Sequence, residues 1–403
     1  MSTWYSPRMS TGFSPRFARR VRDLVQSDIR RMTRECERVG GVNLGQGICD
    51  QPVPDPIKES ATEAIRADRS IYSKFEGIDE LRGLIAAKMA SYNRITCDPS
   101  TEVIVTVGST GAFAVACLTL LEEDDEVVVF SPFYSYHVNI LKLCGAKVRF
   151  VRMRPPGWDF DGAELEAAFG PKTRMAVINT PSNPSGKVYS RDELETIGRL
   201  CQKWDTIAVT DEIYEYILYD GQHHVSLGSL PGMEDRTVTI SGFSKTYSMT
   251  GWRLGYLVAA KELAGRMGVL NDLLYICAPT PLQHGVTAAL RLPPSYYEEL
   301  RVSYAAKLDA LSSACADAGL EVIRPQGAYY MLADVSRLGF DSDRQASAHL
   351  LTSVGVTSVP GSSFYADPSD GRTQVRFCFA KKPPDLEEAC RRLRTLTPVE
   401  PIT

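Results

Sequence analysis

Between residues 103 and 258 the chain alternates short β-branched runs with stretches of helical periodicity, and this alternation narrows the possible folds more than any other feature. The runs are Val103–Val107, Glu126–Phe130, Lys147–Val151, Arg174–Asn179, Thr206–Thr210, Thr237–Ser241 and Leu254–Val258. Helical patterns such as Ala112–Leu121, Gly162–Phe169 and Arg191–Trp204 fill much of the space between them. Strands that are apolar on both faces and separated by helices need a sheet covered on both sides. The expectation is an α/β fold: a mostly parallel seven-stranded sheet sandwiched by helices.

The pattern changes after Pro293. A long helix (Ser295–Ala318) leads to strands near Glu321–Ile323 and Tyr329–Ala333, another helix, and a strand at Gln374–Phe379. That reads as a smaller α+β domain. At the other end, Val21, Leu24, Val25, Ile29 and Met32 form one helical stripe ending near Val39-Gly40-Gly41. The expected organisation is an N-terminal arm and helix over 1–47 packing with the small domain, a large domain over 48–293 and a small C-terminal domain over 294–403.

Composition removes several function classes. With 45 Lys and Arg against 49 Asp and Glu, the net charge of −4 gives no electrostatic case for nucleic acid or an anionic membrane surface. The longest nearly unbroken apolar stretch, Ala112–Leu121, is well short of the roughly 20 residues that span a bilayer. Ten cysteines are scattered without a CxxC pair, which suits reduced thiols in a cytoplasmic enzyme. Residues 1–22 hold five arginines and no acid, a transit-peptide-like composition, but the helical stripe already begins there, so the cytoplasm is the expected location.

In an open α/β sheet, ligands bind beyond the carboxyl ends of the strands. Those positions carry Gly108-Ser109-Thr110-Gly111, Asn179-Thr180-Pro181-Ser182-Asn183-Pro184-Ser185-Gly186, Asp211-Glu212-Ile213-Tyr214, and Ser241-Gly242-Phe243-Ser244-Lys245 followed by Thr250-Gly251-Trp252-Arg253. Each has an ordinary reading alone. A lysine past a strand is usually solvated, an Asp-Glu pair starts helices, Asn-Pro-Ser-Gly makes turns, and Gly-Ser-Thr-Gly makes an N-cap. Gly45-Gln46-Gly47 lacks the third glycine of a dinucleotide fingerprint, and no glycine directly precedes Lys245 as a Walker A loop requires. The order and spacing of the four segments together carry the signal.

With those segments in that order, the chain resembles the fold-type-I, pyridoxal-phosphate-dependent aminotransferases of class I/II, the group containing aspartate, aromatic and kynurenine aminotransferases. The resemblance runs from about Phe17 to Leu393, and it rests on Asn179–Gly186, Asp211–Tyr214 and Ser244–Tyr256. It implies pyridoxal 5′-phosphate as cofactor and transfer of an amino group from an amino-acid donor to a 2-oxo-acid acceptor by a ping-pong mechanism. Lys245 would form the Schiff base with the cofactor and then move the proton at the substrate. Asp211 would hold the pyridine nitrogen protonated, and Asn183 and Tyr214 would hydrogen-bond the ring's phenolic oxygen.

The resemblance also implies that Arg253 and the backbone N–H groups of Ser109 and Thr110 grip the phosphate. Ser244 joins the cofactor set, with Gly242 where some relatives carry a phosphate-binding serine. Tyr134 would stack on the cofactor. Tyr72 would reach the phosphate of a neighbouring subunit, making a homodimer with a shared active site. Arg376, which strand alternation alone reads as a surface arginine, would clamp the substrate α-carboxylate with Gly47 and Asn183 nearby.

Thr110 replaces a lysine with which one aspartate-specific branch reads the acidic side chain of its substrate, so strict aspartate specificity is not expected. Tyr5, Phe13, Tyr134, Tyr275 and Tyr330 are candidate aromatic walls of the pocket. A lyase, cyclase or oxidase working through the same Cα carbanion is the alternative outcome. A DNA-binding regulator would need a further basic domain of about 60 residues ahead of the first helix, more than the dozen present there.

Overall fold

Seven β-branched runs become seven strands, six of them largely buried on both faces and Lys147–Arg154 covered on alternate residues only. The computed structural model describes residues 16–22, 24 and 26–396. Its main sheet runs, edge to edge, Val103–Thr106, Gly255–Val258, Thr237–Gly242, Ile207–Asp211, Thr173–Asn179, Glu126–Ser131, Lys147–Arg154 and Asp159–Phe160. Neighbours pair in parallel through the middle. Gly255–Val258 is antiparallel to both of its neighbours. Its link from Thr237–Gly242 carries only the short turn Thr250–Trp252, with no crossover helix to reverse the chain.

The eighth strand, Asp159–Phe160, corrects the expected count of seven. It pairs antiparallel with the far end of Lys147–Arg154, and two residues are too few to show a period. Alternate residues feed opposite faces. Val127 and Val129 pack into one apolar cluster with Phe113 and Ala116 of the helix Gly108–Leu120, while Val128 and Phe130 pack into another with Leu194 and Ile197 of Arg191–Lys203. Each fully buried aliphatic side chain contributes about 1.5–3 kcal/mol relative to exposure, and this layering holds the carboxyl strand ends in one plane.

A second sheet of four antiparallel strands runs Glu321–Ile323, Tyr330–Asp334, Gln374–Cys378 and Val359–Pro360. The long helix Pro294–Asp317 and the helix Pro383–Leu393 cover it through Leu308, Leu311, Leu386 and Leu393. The N-terminal segment reaches this sheet's side of the molecule, where Val42–Asn43 pairs in parallel with Val356–Thr357. The single helix expected from the Val21–Met32 stripe is two helices, Arg19–Arg22 and Asp28–Val39. Ser27 is extended between them, and Val25 lies outside the described residues. No helix among the described residues is long and apolar enough to cross a membrane.

Candidate active site

The carboxyl ends of the central strands open into a cavity of about 510 Å³. Asp211 is the last residue of its strand, in register with Asn179 on one side and Ile240 on the other. Asn179 ties the edge together: its Nδ2 donates to the Asp211 carbonyl at 2.9 Å, and its Oδ1 accepts the Asn183 N–H at 2.8 Å. The Asp211 carboxylate accepts the Ile213 N–H at 3.3 Å and pairs with His137 Nε2 at 3.0 Å. No lysine or arginine bridges this buried carboxylate among the described residues, so His137 is its principal partner. His137 is held in turn between Phe113, with centroids 4.4 Å apart, and the edge of Tyr134 at 5.3 Å.

Lys245 enters the same cavity from the turn after Thr237–Gly242. Its Nζ donates to the Gly47 carbonyl at 3.3 Å and has no carboxylate partner among the described residues. Burial is the largest influence on this amine and pulls its pKa below the ordinary lysine value. Arg253 adds to the depression, and Cys49, Cys378 and Asp211 oppose it. A buried amine biased toward its neutral form is a nucleophile and a base.

Tyrosines shape the wall beside it. Tyr214 and Tyr330 share a hydrogen bond of 3.1 Å, and Tyr329 Oη donates to the Gly47 carbonyl at 3.3 Å. Burial pushes the Tyr214 and Tyr134 phenols up, so both stay neutral hydrogen-bond donors. Glycine is required at 47 because a Cβ there would stand 1.8 Å from Tyr330 Oη.

An anion cradle lies at the start of the helix Gly108–Leu120. Val107 at the N-cap offers no side-chain acceptor, so the first-turn N–H groups around Ser109 and Thr110 are open toward the cavity. Gly108 has φ +71°, and a Cβ on it would meet the Arg253 guanidinium at 2.4 Å. Arg253 is itself left-handed at φ 55°, a conformation that costs a non-glycine residue about 1–3 kcal/mol, and its Nη1 is anchored by the Thr250 carbonyl at 2.7 Å. A left-handed glycine and a strained left-handed arginine thus bring a guanidinium against a helix N-terminus.

Of the residues singled out in the sequence, Lys245, Asp211, Asn183, Tyr214, Arg253, Ser109, Thr110, Ser244, Tyr134 and Gly47 line this one cavity. Arg376 and Tyr72 do not. Arg376 is fully buried rather than at the surface, because its strand is interior to the four-stranded sheet and covered on both faces. Its guanidinium donates to Asn183 Oδ1 at 2.8 Å and to the Gly45 carbonyl at 2.6 Å, between the rings of Tyr330 and Phe364. Its Nε has no partner. Tyr72 is 75% exposed on the outer surface. Among the aromatic candidates, Tyr330 lines the cavity and Tyr275 does not, while Tyr5 and Phe13 lie outside the described residues.

Two features escaped the sequence reading. His137 stands three residues after Tyr134, on the same face of the turn entering Ser135–Leu143, a spacing that could have paired them. Behind Asp211 lies a buried polar network. Lys88 Nζ bonds Glu215 at 2.5 Å, His224 Nε2 bonds Glu212 at 2.7 Å, and Asn93 bridges both acids. The Glu212 and Glu215 positions beside Asp211 and Tyr214 were the available signal.

This donor set suits a ligand with an anionic group at one end, a basic ring nitrogen to face Asp211, and a carbonyl carbon for the Lys245 amine. Comparison with known proteins agrees. The family model described as aminotransferase class I and II matches residues 39–393. The chain is similar to the probable N-succinyldiaminopimelate aminotransferase of Mycobacterium tuberculosis, at 34% identity over 94% of this chain and 98% of that protein. It is similar to human kynurenine–oxoglutarate transaminase 1, at 32% identity over 88% of this chain and 92% of that one. The solved structure of the M. tuberculosis N-succinyldiaminopimelate aminotransferase superposes with a TM-score of 0.91 at 34% identity, covering 95% of this chain and all of that one.

Proposed function

The chain belongs to the class I and II aminotransferases, uses pyridoxal 5′-phosphate to move an amino group between an amino acid and a 2-oxo acid, and, we propose, runs both half-reactions in this cavity with Lys245 as the proton carrier. The cofactor, when bound, supplies an aldehyde for the amine and a ring that accepts the electron pair left when the Cα–H bond breaks. The observation that carries the reading is the lone buried amine of Lys245 in one cavity with the His137-paired carboxylate of Asp211.

Each residue's part follows from its surroundings. Lys245, biased toward the neutral amine, would hold the cofactor through its aldehyde carbon with loss of water and, once displaced by the incoming amino acid, would carry a proton between the substrate Cα and the adjoining position. Asp211 would face the ring nitrogen with a carboxylate that His137 restrains. Tyr214 and Asn183 would donate to the ring's phenolic oxygen, and Tyr134 would stack on the ring. Arg253, Ser109, Thr110 and Ser244 hold the phosphate. Arg376, buried behind the cavity-lining Asn183 that its Nη1 bonds and with its Nε unpartnered, would bind the substrate α-carboxylate together with Gly47.

The working unit is a homodimer. Ile71 and Tyr72 are 80% and 75% exposed, and Val269 and Leu273 on the helix Lys261–Tyr275 are 64% and 79% exposed. The two segments are adjacent, since Asn271 Nδ2 donates to the Phe75 carbonyl. Apolar surface of this kind supports cover by a second copy, with Tyr72 offered to the partner's phosphate site. The division into an N-terminal arm over 1–47, a large domain over 48–293 and a small one over 294–403 is retained as a proposal, supported by two sheets that share no strand. Ten free cysteines support a reducing, cytoplasmic setting.

A single-turnover experiment tests the reaction. With an amino acid and no oxo acid, the holoenzyme should release 2-oxo acid equal to its active sites and stop, and an added 2-oxo acid should restore it. Continuous release of ammonia from the amino acid alone would contradict transfer and favour elimination or oxidation.

A further inference from the structure

Tyr330 brings to the cavity wall a hydroxyl that neither the cofactor set nor the substrate set accounts for. It heads the strand Tyr330–Asp334, whose pairing with Gln374–Cys378 sets its backbone opposite Cys378. Its ring lies over the Arg376 guanidinium, 4.3 Å from the centroid, and meets the Tyr214 ring edge-on with centroids 5.8 Å apart. The missing side chain of Gly47 makes room for the hydroxyl, which stands 3.1 Å from Tyr214 Oη. Packing on three sides therefore fixes this phenol, and its one hydrogen-bond partner among the described residues is a member of the cofactor set.

Each hydroxyl carries one proton and two acceptor lone pairs. If Tyr214 gives its proton to a ligand oxygen in the cavity, the 3.1 Å contact is a hydrogen bond only with Tyr330 as the donor. The surroundings favour that direction. Burial raises the pKa of both phenols, but Arg376 opposes the rise at Tyr330, whereas Asp211 adds to it at Tyr214. The phenol beside the cation is the better donor and the one nearer the carboxylate the better acceptor. Tyr329, the other phenol on this wall, gives its proton to the Gly47 carbonyl at 3.3 Å.

We propose that Tyr330 is a positioning residue: its hydroxyl donates to Tyr214 Oη, so that the proton of Tyr214 is aimed at the phenolic oxygen of the bound cofactor and held there. This rests on the reading that sets Tyr214 against that oxygen, and it adds a second residue acting through it. In such a chain each hydrogen bond strengthens the next by about 10–30%. The Lys245 nitrogen, once joined to the cofactor, shares a proton with the phenolic oxygen. A donor aimed at that oxygen favours its charged form, so the two-tyrosine relay lowers the pH at which the shared proton leaves.

The test is a pH titration of the bound cofactor's visible absorption, without substrate, in wild-type, Tyr330→Phe, Tyr214→Phe and doubly substituted holoenzyme. Phenylalanine at 330 keeps the ring over Arg376 and removes only the hydroxyl. Tyr214→Phe deletes a hydrogen bond to a charged oxygen and should raise the midpoint by about 1–2 pH units. Tyr330→Phe should raise it by about 0.3 pH unit, and should add nothing in the Tyr214→Phe background. A midpoint that falls in Tyr330→Phe shows Tyr214 donating toward Tyr330 and overturns the proposal. An unmoved midpoint, or an equal shift in both backgrounds, overturns it as well and leaves the role of Tyr214 standing. No shift in Tyr214→Phe overturns instead the placement of Tyr214 against the phenolic oxygen.

Discussion

Replacing His137 by phenylalanine isolates a single hydrogen bond at the centre of the site. The ring keeps its packing against Phe113 and Tyr134, but the 3.0 Å contact from Nε2 to the Asp211 carboxylate disappears. Asp211 then keeps only the longer Ile213 N–H contact at 3.3 Å. A hydrogen bond to a buried charged group contributes about 1.5–3 kcal/mol. If that bond restrains the carboxylate opposite the ring nitrogen as the proton leaves Cα, the half-reaction rate should fall roughly 10- to 150-fold. The assay is stopped-flow absorbance of the bound cofactor after mixing with an amino acid alone. His137→Asn, which retains a donor, should lose less. A His137→Phe rate within about twofold of wild type would refute the argument, because the Asp211 carboxylate would then need no such partner.

Other consequences follow from the same contacts. Gly47→Ala places a methyl group 1.8 Å from Tyr330 Oη and should cost about 1–3 kcal/mol in denaturant unfolding. Gly47→Ala combined with Tyr330→Ala should be no less stable than Tyr330→Ala alone, and a fully additive loss would refute the clash. Lys88→Met leaves Glu215 buried without its ammonium and should destabilise by about 3–5 kcal/mol, while Lys88→Met/Glu215→Met should recover much of it. Equal losses in the single and double variants would refute that pairing. Burial holds the folded-state pKa of Lys245 below 10.5, so between that lowered value and 10.5 the unfolded chain binds more protons and stability rises with pH. Cofactor-free Lys245→Met should accordingly exceed the parent in stability at neutral pH by a margin that shrinks as pH approaches 10.5. A margin that widens would contradict the sign.

How much of this was legible in the sequence depended on whether a residue's role leaves a periodic trace. Six of the β-branched strands were, because burial on both faces forces near-uniform apolar runs, and Lys147–Arg154 was through its alternation; Asp159–Phe160 was not, because a two-residue edge pairing leaves no period. The helix after Val103–Thr106 begins at Gly108, four residues before the apolar run starts, because its first turn is kept small and open for an anion. Arg376 shows the converse failure. Alternation puts it opposite Val375 and Phe377, which suggests solvent, yet the second face of that sheet packs on Tyr330, Phe364 and Asn183. The break at Ser27 was hidden because an apolar stripe continues across it, although the backbone there is extended. His137 is a single residue whose meaning comes only from what the fold sets beside it.

The central claim is that Lys245 is the residue that takes the cofactor's aldehyde. Borohydride reduction of the holoenzyme, followed by peptide mass mapping, tests it directly. The account predicts one pyridoxyl adduct, on Lys245, absent in Lys245→Ala. An adduct on another buried lysine, such as Lys88, Lys187 or Lys307, or a full-strength adduct surviving in Lys245→Ala, would contradict it.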